Sequence, residues 1–129
     1  MKTFQDLIVW QKAHGLVLEV YRITTRFPRE EQYGLVSQMR RAAVSIPANV
    51  VEGHKRISKR EFANFMSIAE GSLEELKYYL RLACDLGFLS DNLRDHTYQA
   101  AEEIGRMLHG LKTHIRKELK DEQTAALLR

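Results

Sequence analysis

Five histidines, one cysteine and three adjacent glutamate pairs are the residues here whose types could carry catalysis or hold a metal. Zinc needs ligands at defined helical spacings, and catalytic zinc helices place two histidines four apart around a glutamate. Here His14, His54, His96, His109 and His114 include no pair at i, i+3 or i+4. His109 and His114 are five apart and project to different helix faces. His14 falls in an apolar zone and reads as a hydrogen-bonded core or interface residue. Di-iron bundles require Glu-x-x-His on two helices, and that pattern is absent. Glu30-Glu31, Glu74-Glu75 and Glu102-Glu103 therefore read as solvated faces. Cys84 has no base or cationic neighbour marked in the sequence, so it reads as a small packed side chain. No cofactor, no metal and no catalysis are expected.

Two other patterns are more informative. Lys55, Arg56, Lys59 and Arg60 form an acid-free run, and Arg106, Lys112, Arg116, Lys117 and Lys120 are opposed only by Glu118. The chain carries a net charge of only +3, so its basicity is segregated rather than spread. Such clusters are electrostatic footprints for phosphates. The first could act together with the free amides of a helix start, where cations otherwise have no stabilising role. The expected nucleic-acid contacts are Lys55, Arg56, Lys59, Arg60, Arg106, Lys112, Arg116 and Lys117. The second pattern is a polar stripe at helical spacing, Gln38, Arg41, Ser45, Asn49 and Glu52, with a matching row at Ser67, Glu70 and Glu74. It reads as a hydrogen-bond network fixing helix register or subunit pairing, with a ligand-lining role as the alternative.

The elements that position these residues are helical. In 129 residues there are only seven glycines and two prolines, and no strand-like alternation competes. A chain of this length forms one domain with a sizeable core. A first helix is expected from Phe4 to Arg26, capped by Thr3 with Asp6, and stopped by Phe27-Pro28. Leu7, Trp10, Val17 and Tyr21 form one stripe on it; Ala13, Leu16, Val20, Ile23 and Phe27 form another. Arg29 to Tyr33 is a polar connection with room for one helical turn. A second helix spans Gly34 to His54, with a kink or break near Ala43–Pro47 because proline removes a donor. Ser58-Lys59-Arg60-Glu61 is a capping box opening a third helix, whose seam is Phe62, Met66, Ala69, Leu73, Leu76, Leu80 and Ala83, with Gly87 as terminator. A fourth, capped by Ser90, runs to Leu119 with the seam Leu93, Thr97, Ala100, Ile104, Leu108, Leu111 and Ile115. The expected fold is an all-α, up-and-down antiparallel four-helix bundle over residues 1–119, with a frayed tail at 120–129. The lone cysteine, and the absence of a membrane-length apolar run or a basic-then-apolar leader, point to the cytoplasm.

Phe4-Gln-Asp-Leu7, Val9-Trp-Gln-Lys-Ala13, Tyr33-Gly-Leu35, Ser37-Gln-Met-Arg-Arg-Ala42, Ser45-Ile-Pro-Ala-Asn49, Glu52-Gly53, Glu61-Phe62 and Gly71-Ser-Leu-Glu-Glu75 occur in this order. Together they resemble the four-helix-bundle family named for proteins encoded in intervening sequences of bacterial 23S ribosomal RNA genes. The resemblance covers about Met1 to Lys117, and the Arg-Arg-Ala through Glu-Gly block is its most specific part. The accessory protein of diversity-generating retroelements is similar in fold. The resemblance implies a homopentamer, often with a central channel, a proposed role in nucleic-acid binding and no established catalysis. After Glu-Gly the family tends to an aromatic or small residue and then glycine; His54-Lys55 makes this joint more basic. The expected function is a non-enzymatic oligomeric bundle that meets structured RNA or DNA through phosphates. A protein-interaction or scaffold module, resting on the wide apolar faces of the first two helices, is the alternative. Neither a membrane nor a small-molecule substrate is an expected partner.

Overall fold

The computed structural model describes residues 3–129. Four helices carry the chain: α1 (Ile8–Thr24), α2 (Leu35–Lys55), α3 (Lys59–Asp85) and α4 (Asp91–Leu127). They pack in a ring, α1 on α2, α2 on α3, α3 on α4 and α4 back on α1. Contacts down the α3–α4 seam run in opposite directions along the two helices. Lys59 meets Glu118, Glu70 meets Lys112, Lys77 meets Glu102, and Cys84 meets Asp91. The bundle is thus antiparallel and up-and-down, with 3.6-residue apolar stripes turned inward.

Its core is built from Val20, Met39, Ile46, Val50, Met66, Leu73, Leu76, Leu80, Ile104 and Leu108, all at or below 2% exposure. The expected α3 seam is buried from Met66 to Ala83, although Ala63 takes the place of the half-buried Phe62 at its start. On α4 the core positions are Thr97, Ala101, Ile104, Leu108 and Ile115, while Leu93 is exposed.

Two expectations about helix ends are corrected, one on α1 and one on α4. The first helix starts at Ile8, not Phe4, because Phe4–Asp6 is a separate 3-10 turn. There the Thr3 amide donates to Asp6 Oδ2 at 3.2 Å, and extended Leu7 (φ −76°, ψ 122°) breaks the path to α1. The second helix runs unbroken through buried Pro47, so a full break does not occur. The fourth helix continues to Leu127 rather than ending at Leu119. Every residue from 120 onward is exposed, yet Thr124-Ala-Ala-Leu127 contains no breaker, and propensity carries the helix where packing no longer does. At 37 residues α4 is about 55 Å long, against about 25 Å for the 17-residue α1.

The joints are short. Arg29–Glu31 forms the single 3-10 turn between α1 and α2. Ser58 caps α3, its Oγ accepting from the Glu61 amide at 3.3 Å. At the far end Gly87 takes φ +82°, a left-handed conformation natural to glycine. Phe88 N–H then donates to the Ala83 carbonyl and Gly87 N–H to that of Cys84, which is a Schellman closure.

Candidate nucleic-acid interface

The first basic cluster and the C-terminal part of the second, far apart in sequence, lie at one end of the bundle. Lys59 Nζ reaches Glu118 Oε2 at 3.8 Å and also contacts Glu122. The α2–α3 joint therefore sits beside residues 118–122 of α4. In sequence Lys55 and Arg60 flank the Lys59 side of this contact and Arg116 and Lys117 immediately precede Glu118, and all four are exposed. Because α1 is so short, this end is built from α2, α3 and α4.

Internal carboxylates claim some of the expected contact residues. Lys59 is held by its two glutamates, and hydrogen bonding to Glu122 is the largest of the causes that raise its pKa. Arg56 donates to Glu52 at 3.2 Å and lies 5.1 Å over the Phe65 ring. Lys112 is bound to Glu70 across the α3–α4 seam, with its side chain only 14% exposed. Lys112 is therefore a seam residue rather than a free surface cation. Among the described residues Lys55, Arg60, Arg106, Arg116 and Lys117 make no ion pair within 4 Å; Arg106 sits ten residues, or about 15 Å, up α4 from Arg116 and near Glu102. The free cations of the end are thus Lys55, Arg60, Arg116 and Lys117.

The polar stripe of α2 is a network, but its partners differ from the expected row. Arg41 Nη2 donates to Gln38 Oε1 and to Glu75 Oε1, each at 2.8 Å. Tyr79 donates its hydroxyl hydrogen to the same Glu75 oxygen at 2.7 Å, and that bond pushes the Tyr79 pKa up. Ser45 and Ser72 share a hydrogen bond of 2.7 Å, and Asn49 Nδ2 donates to the Ser45 carbonyl and Oγ. Ser72, Glu75 and Tyr79 are the α3 partners; Glu52 turns away to Arg56. Glu70 and Glu74 belong to the opposite seam, with Glu70 on Lys112 and Glu74 on Lys77, which also holds Glu102 at 2.8 Å. A helix flanked by two neighbours turns 100° per residue, so an offset of one or two positions changes the neighbour it meets.

With this geometry in hand, comparison with known proteins is informative. The 23S rRNA-intervening sequence protein family model matches residues 5–110. The chain belongs to that family. No curated protein matches it. A crystal structure of a Bacteroides thetaiotaomicron protein of unknown function, described as from the S23 ribosomal protein family, superposes with a TM-score of 0.77. The two are 20% identical over 82% of this chain and 96% of that one, a likeness of fold. The 23S rRNA-intervening sequence match ends at residue 110, so Arg116 and Lys117 lie beyond it while Lys55 and Arg60 lie within.

Four further features had weak or no signals in the sequence. Cys84 is half-buried and bonded rather than merely packed: its Sγ–H donates to Asp91 Oδ1 at 3.0 Å, and Arg94 Nη1 donates to Sγ at 3.4 Å. Holding the proton for Asp91 pushes the thiol pKa up, against the pull of Arg94. His14 is exposed, not part of the core, and stacks on Trp10 at 5.2 Å. Arg40 fastens the end of α1 to α2, donating to Thr24 Oγ1 at 3.0 Å and to the Tyr21 carbonyl at 3.3 Å. Between α1 and α4 a groove of about 210 Å³, lined by Lys12, Gly15, Leu16, Glu19, Thr97 and Ile104 among others, contains Glu19 Oε1 and Thr97 Oγ1, both buried without a hydrogen-bond partner among the described residues. No group of three or more histidine, cysteine or acidic side chains suited to a metal occurs among them, and no helix is long and apolar enough to cross a membrane.

Proposed function

We propose that this protein is a non-enzymatic, oligomeric bundle of the cytoplasm that binds structured RNA or DNA through phosphates, at the end carrying Lys55, Arg60, Arg116 and Lys117. The observation that supports this reading is the meeting of two separate basic clusters through the Lys59 contact to Glu118 and Glu122. Four free cations on one protomer give weak binding alone, and repetition of the patch in an assembly multiplies it. Exposed apolar side chains on the outer faces of α1 and α2 and their connection, Leu18 (57%), Tyr21 (42%), Val44 (40%) and Tyr33 (92%), support self-association. The homopentamer implied by the family would have five times the 15.0 kDa protomer mass in light scattering.

The deciding experiment is an electrophoretic shift with an RNA hairpin and a DNA duplex across a salt series. Affinity should fall steeply with salt, by roughly 0.9 in log–log slope for each phosphate neutralised. Arg60→Glu with Arg116→Glu should abolish the shift, whereas Lys112→Ala should leave the slope unchanged. Absence of any shift at low salt would reject nucleic-acid binding. The same surfaces would then favour a protein-interaction module, marked by a partner retained at high salt.

A further inference from the structure

We infer that Ile57 is an apolar wedge that enters an open base step of the bound nucleic acid; the inference rests on the basic-end reading above. Ile57 is the most exposed large apolar residue described, at 104% of its reference area. It stands at the apex of the joint between α2 and α3, flanked by Lys55, Arg56, Lys59 and Arg60. Tight helix joints favour Gly, Asn, Asp, Ser or Pro, which satisfy turn geometry. A β-branched apolar side chain at this apex meets no core and serves no evident turn chemistry.

Hydrogen bonds fix the joint on both sides of Ile57. Arg56 N–H donates to the Gly53 carbonyl at 3.1 Å and closes α2, while the Ser58 cap opens α3 immediately after Ile57. The Arg56 side chain is drawn aside by Glu52 and Phe65. Gly53 lies against Phe62, Phe65 and Met66 and locks the two helices together just below the apex. Cations that seat a phosphate backbone around a protruding Ile, Leu or Phe are the arrangement by which proteins unstack and kink a step. A membrane surface fits less well, since insertion there needs a whole apolar helix face and the neighbours of Ile57 are polar. The expected ligand is a nucleic acid with an easily opened step, either a bulge in duplex RNA or a flexible pyrimidine–purine step in DNA.

The test uses the full chain and two duplexes carrying 2-aminopurine, one RNA with the probe at a bulge and one DNA with it at a TA step. Wild type should raise the probe's fluorescence on saturation, on RNA, on DNA or on both, which identifies the target. Ile57→Ala should remove the rise and weaken binding to the responsive duplex about tenfold, while changing affinity for an uninterrupted duplex less than about twofold. Its salt slope should match wild type, and Ile57→Leu should restore the fluorescence response. Lys55→Ala should do the converse, lowering the salt slope by about one while leaving the saturated signal intact. No binding by wild type would reject the basic-end reading itself. Binding with no fluorescence rise, or an unchanged rise in Ile57→Ala, overturns the wedge alone. Ile57-dependent sedimentation with phosphatidylglycerol vesicles, without a response on either duplex, would also overturn it.

Discussion

At Gly53 α2 packs tightly against α3, and replacing it with alanine should force them apart. A Cβ at Gly53 would lie 2.9 Å from Phe65 Cβ, 3.1 Å from Met66 Cε and 3.1 Å from Phe62 Cδ1. Met66 Cε is the tip of a flexible chain and the Phe62 ring can turn, but Phe65 Cβ is fixed to the backbone of α3. The helices must therefore separate by a few tenths of an ångström. Overpacking of this kind costs about 1–3 kcal/mol, and the helix-propensity gain of alanine over glycine returns up to about 1 kcal/mol. Gly53→Ala should then be destabilised by about 1–2 kcal/mol. Gly71, within α3, provides the control, because its added Cβ would meet nothing within 4 Å. Gly71→Ala should gain about 0.5–1 kcal/mol from propensity alone. Urea titrations followed by far-UV circular dichroism should place the two variants on opposite sides of wild type, with equal slopes. Equal stabilisation of both variants would refute the close approach at Gly53.

Other consequences follow from single contacts. Thr97 Oγ1 is buried and unpaired among the described residues, so Thr97→Val should stabilise by about 1 kcal/mol and raise Tm by roughly 4 °C in calorimetry; destabilisation would reveal a partner for the hydroxyl. Lys59→Ala removes the clasp on Glu118 and Glu122, and hydrogen exchange should quicken from residue 116 to 124 while 100–110 stay protected. Unchanged protection there would show that helix propensity alone holds the extension. Cys84 holds its proton for Asp91, so iodoacetamide should react at pH 8 more slowly than with an ordinary thiol. Asp91→Asn removes that acceptor charge and leaves Arg94, so the alkylation profile should shift to lower pH; a shift upward would contradict the assigned cause.

What the sequence made legible divides by how many neighbours a residue has to satisfy. The α3 seam from Met66 to Ala83 follows from heptad spacing alone, since every position answers to one core. The Ser58 cap and the Gly87 terminator follow from local chemistry within a few residues. Thr3 and Asp6 show the limit of such signals: the pair is present, but it serves a 3-10 turn, and only the extended Leu7 decides that. The row opposite the α2 stripe differs from the spacing-based expectation for another reason. Ser72, Glu75 and Tyr79 face α2 while Glu70, Glu74 and Lys77 face the other seam, and both sets keep helical spacings of three and four within α3. Which set meets which helix is a property of the ring, not of any one helix.

The same distinction applies to charge. Counting cations along the chain gives two clusters of equal weight, and a count cannot see that Lys112 is taken by Glu70, Lys59 by two glutamates and Arg56 by Glu52. Those three cations still matter, because they fasten α3 to α4 and shape the joint on which the remaining ones stand. Arg106 is left about 15 Å away on α4. What remains for a polyanion is Lys55 of α2 and Arg60 of α3 with Arg116 and Lys117 of α4, a smaller patch than the sequence suggests but drawn from three helices. Its dependence on the α3–α4 clasp means that binding and the order of α4's last turns should fail together in Lys59→Ala, although that substitution removes a cation already neutralised.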